Sequence, residues 1–319
     1  MKSTNVKEQA AKLSVISNTA LVIGKLSIGL AIGSVGVISE GIHSSLDLLA
    51  AIIAFFAVRQ ASFPADEKHR YGHGKIENLS GTIEGILILI AAIWIAFEAT
   101  QKFFHPHVVE YVGWGVAIMA VSSIVNFFIS RHLQKVGEET DSVALKADAM
   151  HLKTDVYTSM GVMFGLFGIY LTGWQWLDPV VAIGVALLIM YAAWELIQES
   201  FSPLLDVSLP EEDEQKIITK IENHQEHFID FHSFRTRKAG SERHIDFHLT
   251  VCKYQTIEHA HILADRIEDD IKILFKESSI LIHHEPCDKG CTGCENSCNI
   301  EKKYRLPSFC QETVKKTHI

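Results

Sequence analysis

Hydrophobic and polar positions divide the chain into two regimes. In the first, apolar residues run without interruption for about a membrane's width, and six such stretches occur: Leu13–Ile32, Val37–Val58, Leu79–Ala99, Val109–Ile129, Ala144–Tyr170 and Val180–Ile197. Each is near the ~20 residues that a helix needs to cross a hydrocarbon core of about 30 Å. The turn GSVG separates the first two, and LTGWQWLDP separates the last two. Tryptophans in the latter suit a membrane interface. Asp178 followed by Pro179 has the pattern of a helix start, with Asp as N-cap and Pro at the first helical position. Gly29/Gly33 and Gly81/Gly85 are spaced for close helix packing.

The second regime begins at LLDVSLPEEDE. PEEDEQKIITKIENH predicts an acidic amphipathic helix, and DFHSFRTRKAG a strand. In HIDFHLTVC, Ile245, Phe247, Leu249 and Val251 alternate with His244, Asp246, His248 and Thr250, the period of a half-buried strand. IEHAHILADRIEDDIKILF places Ala260, Leu263, Ile267, Ile271 and Leu274 on one helical stripe, and SSILIHHEP predicts a last strand. The fold class is therefore a six-helix transmembrane protein with an α+β domain of order αββαβ, helices on one face of a short sheet. The expected boundaries are 1–205 for the membrane domain, 206–286 for the α+β domain and 287–319 for a Cys-rich tail.

Composition agrees with two regimes: 48% hydrophobic with 21% charged residues is too apolar for an ordinary soluble domain and too charged for a bare bundle. A net charge of −9 argues against nucleic acid as a partner. The polar start MKSTNVKEQAAK lacks the pattern of a cleaved leader. Lys2, Lys7 and Lys12, then Arg59, Lys68, Arg70 and Lys75, then Arg131, Lys135 and Lys146 fall on one side of the membrane, and Lys102 on the other. The positive-inside rule puts both termini in the cytoplasm. All six cysteines follow Val251, which points to a reduced compartment and metal or redox chemistry rather than a disulfide scaffold.

The chemistry concentrates inside the second and fifth spans. His43 and Asp47 lie four residues apart, hence on one helix face about 6 Å apart along the axis. His151 and Asp155 repeat the spacing. Two imidazoles and two carboxylates brought together make a tetrahedral N2O2 set that suits Zn²⁺, and a dication explains how carboxylates survive in a bilayer. A His–Asp hydrogen bond in each span is the structural alternative. Asp148 is expected to be solvated near the cytoplasmic end.

Six spans, HxxxD in the second and fifth, and a following α+β domain resemble the cation diffusion facilitators. FPADEKHRYGHGKIENLSG in the second loop is similar to the loop of this family's bacterial zinc exporters, and the resemblance extends to about Pro286. It implies a homodimeric divalent metal/proton antiporter that exports Zn²⁺ from the cytoplasm across the inner membrane, with Cd²⁺ or Fe²⁺ as further cargo candidates. His-Asp plus His-Asp resembles the zinc-preferring members, and imidazole likewise favours Zn²⁺ over hard-oxygen ions. Ligands lose protons to bind metal, and free imidazole titrates near pH ~6.5. Protons can thus displace metal at His151, taken as the main carrier, and at His43, as the helices alternate access.

Asp66, His69 and His73 form a second candidate site in the loop, set against a merely hydrated charged loop. The resemblance further implies a Lys75–Asp206 ion pair at a dimer hinge. It also implies a binuclear cytosolic zinc site of His232, His248, His261, His283 and Glu285, where LIHHEP departs from the family's His-x-Asp-Pro. Cys287, Cys291, Cys294 and Cys298, spaced C-x3-C-x2-C-x3-C, can wrap one tetrahedral Zn²⁺ or a softer ion; a mobile tail is the alternative. Cys252 is expected to pack as a small apolar side chain.

Two other classes remain in play: a membrane-anchored metal sensor, and a zinc hydrolase needing an open coordination position. Ligands inside two spans argue against the first, and a closed set of four against the second. No Gly-rich nucleotide loop is present, which argues against an ATP-driven pump.

Overall fold

The structure, a computed structural model, describes residues 2–32, 35–104, 113–172 and 176–287. It divides into two compact units, Met1–Leu205 and Asp206–Ile319. In the first, six long helices follow one another: α1 (Lys2–Ile32), α2 (Val35–Ala61), α3 (Lys75–Phe104), α4 (Gly113–Glu139), α5 (Val143–Thr172) and α6 (Leu177–Phe201). Every expected apolar stretch falls on one of them, apart from the start of the fourth, whose residues 109–112 lie outside the described residues. α6 begins at Leu177, one residue before the expected cap Asp178, and Trp176 stands at the cap position without a capping side-chain bond.

Among the described residues, three segments are apolar and long enough to cross a membrane: Asn5–Ile28, Lys75–Gln101 and Pro179–Leu205. The first unit is packed inside out. Ser14, Asn18, Asn78, Ser80, Asn126 and Ser200 are buried, while Trp94, Phe128, Leu187, Tyr191 and Trp194 face outward. Outward apolar side chains suit lipid, and small polar ones let helices approach and bond. α3 and α6 come closest where α3 carries glycine: a Cβ at Gly81 would meet Ser200 Oγ at 2.7 Å, and one at Gly85 would meet Ile197 Cγ1 at 2.7 Å. Gly33 and the surroundings of Gly29 lie outside the described residues. Buried Lys7 of α1 lies 3.4 Å from Glu77 of α3, which also accepts from Ser142 Oγ, tying three segments through one carboxylate.

The second unit runs α7 (Glu211–Glu222), β1 (Asp230–Ala239), β2 (Glu242–Val251), α8 (Ile257–Leu274) and β3 (Ser278–Pro286). The order αββαβ is the expected one. Four acidic residues, Glu211 to Glu214, occupy the first turn of α7, where the helix dipole favours them. Thr256 caps α8 by accepting the His259 N–H at 3.3 Å. β1 and β2 form an antiparallel hairpin turning at Gly240, whose φ of 62° favours glycine. β3 returns parallel to β2 after α8 crosses over, in the sheet order β1-β2-β3.

Ile245, Phe247, Leu249 and Val251 point into one core with Ile217 and Ile221 of α7 and Ala260, Leu263, Ile267 and Ile271 of α8. Leu274, expected on that stripe, is 37% exposed as the last residue of α8. His244, read as facing away from the core, is buried as well.

Candidate metal centres

α2 and α5 bring Asp47 and His151 together. His151 Nε2 lies 3.1 Å from Asp47 Oδ1, and one ligand atom each from Asp47, His151 and Asp155 falls within 4.8 Å of the others. Two atoms bound to one Zn²⁺ are at most about 4.2 Å apart. The group is therefore a small contraction away from closing on an ion. The second imidazole nitrogen of His151, Nδ1, is buried with no hydrogen-bond partner among the described residues. A side chain that holds one nitrogen on a carboxylate and leaves the other unsatisfied suits a ligand that exchanges partners. His43 stands one turn before Asp47 on α2, and its side chain lies outside the described residues.

Three polar residues around this group went unread or misread. Asn126 of α4 donates from Nδ2 to Asp155 Oδ2 at 3.3 Å. Asp148 is fully buried rather than solvated, because the N-terminal end of α5 is packed against α1, where Ser14 stands beside it. Glu84 of α3 is fully buried too, with Ser80 Oγ donating to it at 3.2 Å. A lone Asn in VSSIVNFFIS and a lone Glu in SGTIEGILILI were the signals available, since intramembrane polar groups mark function by default.

Between α2 and α3, Asp66, His69 and His73 also converge within 4.8 Å. The loop is wound around Asp66, whose Oδ1 accepts the N–H groups of Lys68 at 2.8 Å and His69 at 2.6 Å. Those bonds, the backbone one to His69 foremost, hold the Asp66 carboxyl below its ordinary range. Gly72, at φ 79°, turns the chain so that His73 packs beneath His69, ring centroids 4.3 Å apart. His73 Nε2 reaches Asp66 Oδ2 at 3.4 Å, and its buried Nδ1 has no partner among the described residues.

In the second unit Glu285 is the hub. Its carboxylate lies 2.9 Å from His248 Nδ1, 3.2 Å from His232 Nε2 and 3.9 Å from His283 Nε2. The three histidines converge because His232, His248 and His283 are partners across β1, β2 and β3 in register. A bulge between His232 and Arg235, with Ser233 at φ 53°, bends β1 at this spot. The longer arm of Glu285 therefore does reach the imidazoles. His261 stands apart on α8, 3.7 Å from Asp265. His284 binds the Ala260 carbonyl at 3.1 Å, and His224, unremarked in the sequence, pairs with Asp270 at 3.0 Å.

Asp206 opens the second unit and pairs with Arg237 Nη1 at 3.2 Å; Lys75 belongs to the first unit. Cys287 is buried, while Cys291, Cys294 and Cys298 lie outside the described residues. Cys252 is buried, as expected of a small apolar side chain.

A membrane helical unit with acid–imidazole groups buried between helices, followed by a small α+β unit with a histidine-rich sheet, defines a class of metal-handling membrane proteins. Residues 11–205 match the cation efflux transmembrane domain, and residues 209–287 match the cation efflux protein cytoplasmic domain. The chain belongs to the cation efflux, or cation diffusion facilitator, family: it is a membrane transporter for divalent metal cations rather than an enzyme. It is 36% identical to an uncharacterised transporter of Synechocystis sp. over 80% of this chain and 83% of that one. It is 31% identical to the cation-efflux pump FieF of Shewanella oneidensis over 87% and 93% of the two chains. A solved structure of CzrB in a zinc form, 30% identical, covers 25% of this chain and 92% of its own, with a TM-score of 0.24.

Proposed function

We propose that the chain is a Zn²⁺/H⁺ antiporter that exports zinc from the cytoplasm by alternating access. Six helices cross the inner membrane, and both termini lie in the cytoplasm. The observation that carries this reading is the convergence of Asp47, His151 and Asp155 from α2 and α5. Adding His43 from the preceding turn of α2 completes an N2O2 set, whose imidazoles select Zn²⁺ over hard cations and leave Cd²⁺ and Fe²⁺ as lesser cargo. Metal enters this set as protons leave and is expelled as they return. FieF relatives named as cation-efflux pumps support the outward direction.

The loop group Asp66, His69 and His73 is a weaker second site at the membrane edge. The donors on the sheet, His232, His248, His283 and Glu285, fit a Zn²⁺ ion, and His261 joins from α8 when metal draws the domain together. Metal there ties two copies of the cytosolic domain into a homodimer, with Lys75 and Asp206 pairing at the hinge. The working division is a membrane domain over 1–205, a metal-binding domain over 206–286 and a Cys-rich tail.

The test is Zn²⁺ uptake into proteoliposomes under an imposed pH gradient, with Asp47→Ala and Asp155→Ala alongside. Uptake that follows the gradient and is lost in both variants is the expected result. Normal transport by the variants would sink the intramembrane site. Uptake indifferent to the gradient would sink proton coupling.

A further inference from the structure

α1 buries a stripe of polar side chains. Lys7, Ser14, Asn18 and Lys25 share one helical face, and all four are buried. Lys7 ends on the Glu77 carboxylate at 3.4 Å. Lys25 lies within the apolar segment Asn5–Ile28, where an ammonium is costly and points to function by default. It is 4% exposed, and its Nζ donates to Ser44 Oγ of α2 at 2.7 Å. The backbones come close just there. A Cβ at Gly41 of α2 would meet Leu26 Cδ2 at 2.7 Å and the Leu26 amide nitrogen at 3.3 Å. The contact fixes the residue after Lys25 against α2 one turn before Ser44, and so holds the ammonium at this level of the bundle.

Ser44 is buried too, follows His43, and precedes Asp47 by three residues, which puts Ser44 and Asp47 on one face of α2 a turn apart. That spacing leaves the Lys25 ammonium roughly 8 Å from the Asp47 carboxylate. A unit charge at such a range repels a dication strongly where the effective dielectric is about 20, enough to change affinity by more than about tenfold. The structural alternative is a helix tie between α1 and α2. The two readings differ in sign: loss of a tie weakens the site or leaves it alone, whereas loss of a repelling charge tightens it.

We propose that Lys25 sets the affinity of the intramembrane site: its fixed positive charge, held on Ser44 a turn from Asp47, weakens the grip on a divalent cation so that the ion is released. The inference rests on the transport site proposed above. With both termini in the cytoplasm, α2 runs toward the cytoplasm and Ser44 precedes Asp47, so the charge stands on the side by which the ion leaves.

The experiment measures Zn²⁺ uptake into proteoliposomes holding the full chain, against Zn²⁺ concentration at one fixed pH gradient. Lys25→Met, and Lys25→Gln, which keeps a donor for Ser44, should each lower the half-saturating concentration at least about tenfold. The maximal rate should fall with it, as release slows. Lys25→Arg keeps the charge and should bring both values back toward wild type. Where uptake is too slow to fit, competition for Zn²⁺ against a chelating dye in detergent reads the same tightening, with the Asp47→Ala titration subtracted to remove the other sites. A half-saturation unmoved or raised in Lys25→Met and Lys25→Gln, with Asp47→Ala inactive, would overturn this inference alone and leave Lys25 a helix tie. An equal fall in Lys25→Arg would overturn it as well, since size rather than charge would then be acting. Normal uptake by Asp47→Ala would overturn the transport site, and this inference with it.

Discussion

Asn126→Ala asks whether α4 serves the intramembrane site or merely packs against α5. The wild-type Nδ2 donates to Asp155 at 3.3 Å from a buried position. That distance lies just beyond the usual 2.7–3.2 Å range of N–H···O bonds, which marks the bond as weak. If it only joins two helices in a membrane, losing it costs about 0.6 kcal/mol, the mean for such bonds. That is under about threefold in any equilibrium. A partner that orients a metal ligand is worth about 10–100-fold in affinity, or about 1.4–2.7 kcal/mol. The long bond places the expected effect near the lower end, about tenfold. Zn²⁺ uptake into proteoliposomes, measured against Zn²⁺ concentration, should show the half-saturating concentration rising about tenfold. The maximal rate should hold within about twofold, the signature of lost ground-state binding. An unchanged melting transition in detergent excludes misfolding. A half-saturation shift below about threefold would refute the ligand-orienting role and leave Asn126 a helix tie.

Two further outcomes concern the second unit. Burial, then the neighbouring Glu277 charge, raises the pKa of Glu242, with Arg237 opposing. The folded state thus disfavours its ionised form, a penalty fully present above the raised value and absent once pH falls below the ordinary glutamate value of about 4.3. Glu242→Gln should raise the unfolding midpoint at neutral pH and lose that gain in acid; thermal scans at both pH values check it, and an equal gain at each would contradict the cause. Ile267 is fully buried on α8, so Ile267→Ala should cost about 2–5 kcal/mol in urea unfolding of this unit. Ile262, 41% exposed on the same helix, should cost within about 0.5 kcal/mol when changed to Ala, and equal losses would contradict the assigned core face.

The elements were legible because their signals are local. Uninterrupted apolar runs became α1 to α6, and period-two alternation in HIDFHLTVC became β2 with Ile245, Phe247 and Leu249 inward. The spacing of Asp66, His69 and His73 likewise became a real cluster, since a loop wound on one aspartate keeps near neighbours near. Asp148 was misjudged for the complementary reason. Its solvation depends on α1 lying against α5, which no window around residue 148 contains.

Thus residue periodicity determined by itself the element types and the two-part organisation, and the two HxxxD spacings marked candidate metal ligands, because each acts through neighbours within a turn or a strand. Only tertiary structure decided which distant groups meet. Packing of α2 on α5 set Asp47 against His151, α4 delivered Asn126 to Asp155, and strand register gathered His232, His248 and His283 on Glu285. Those meetings join groups far apart along the chain, and the helix faces and strand register that bring them together are set by the whole core at once.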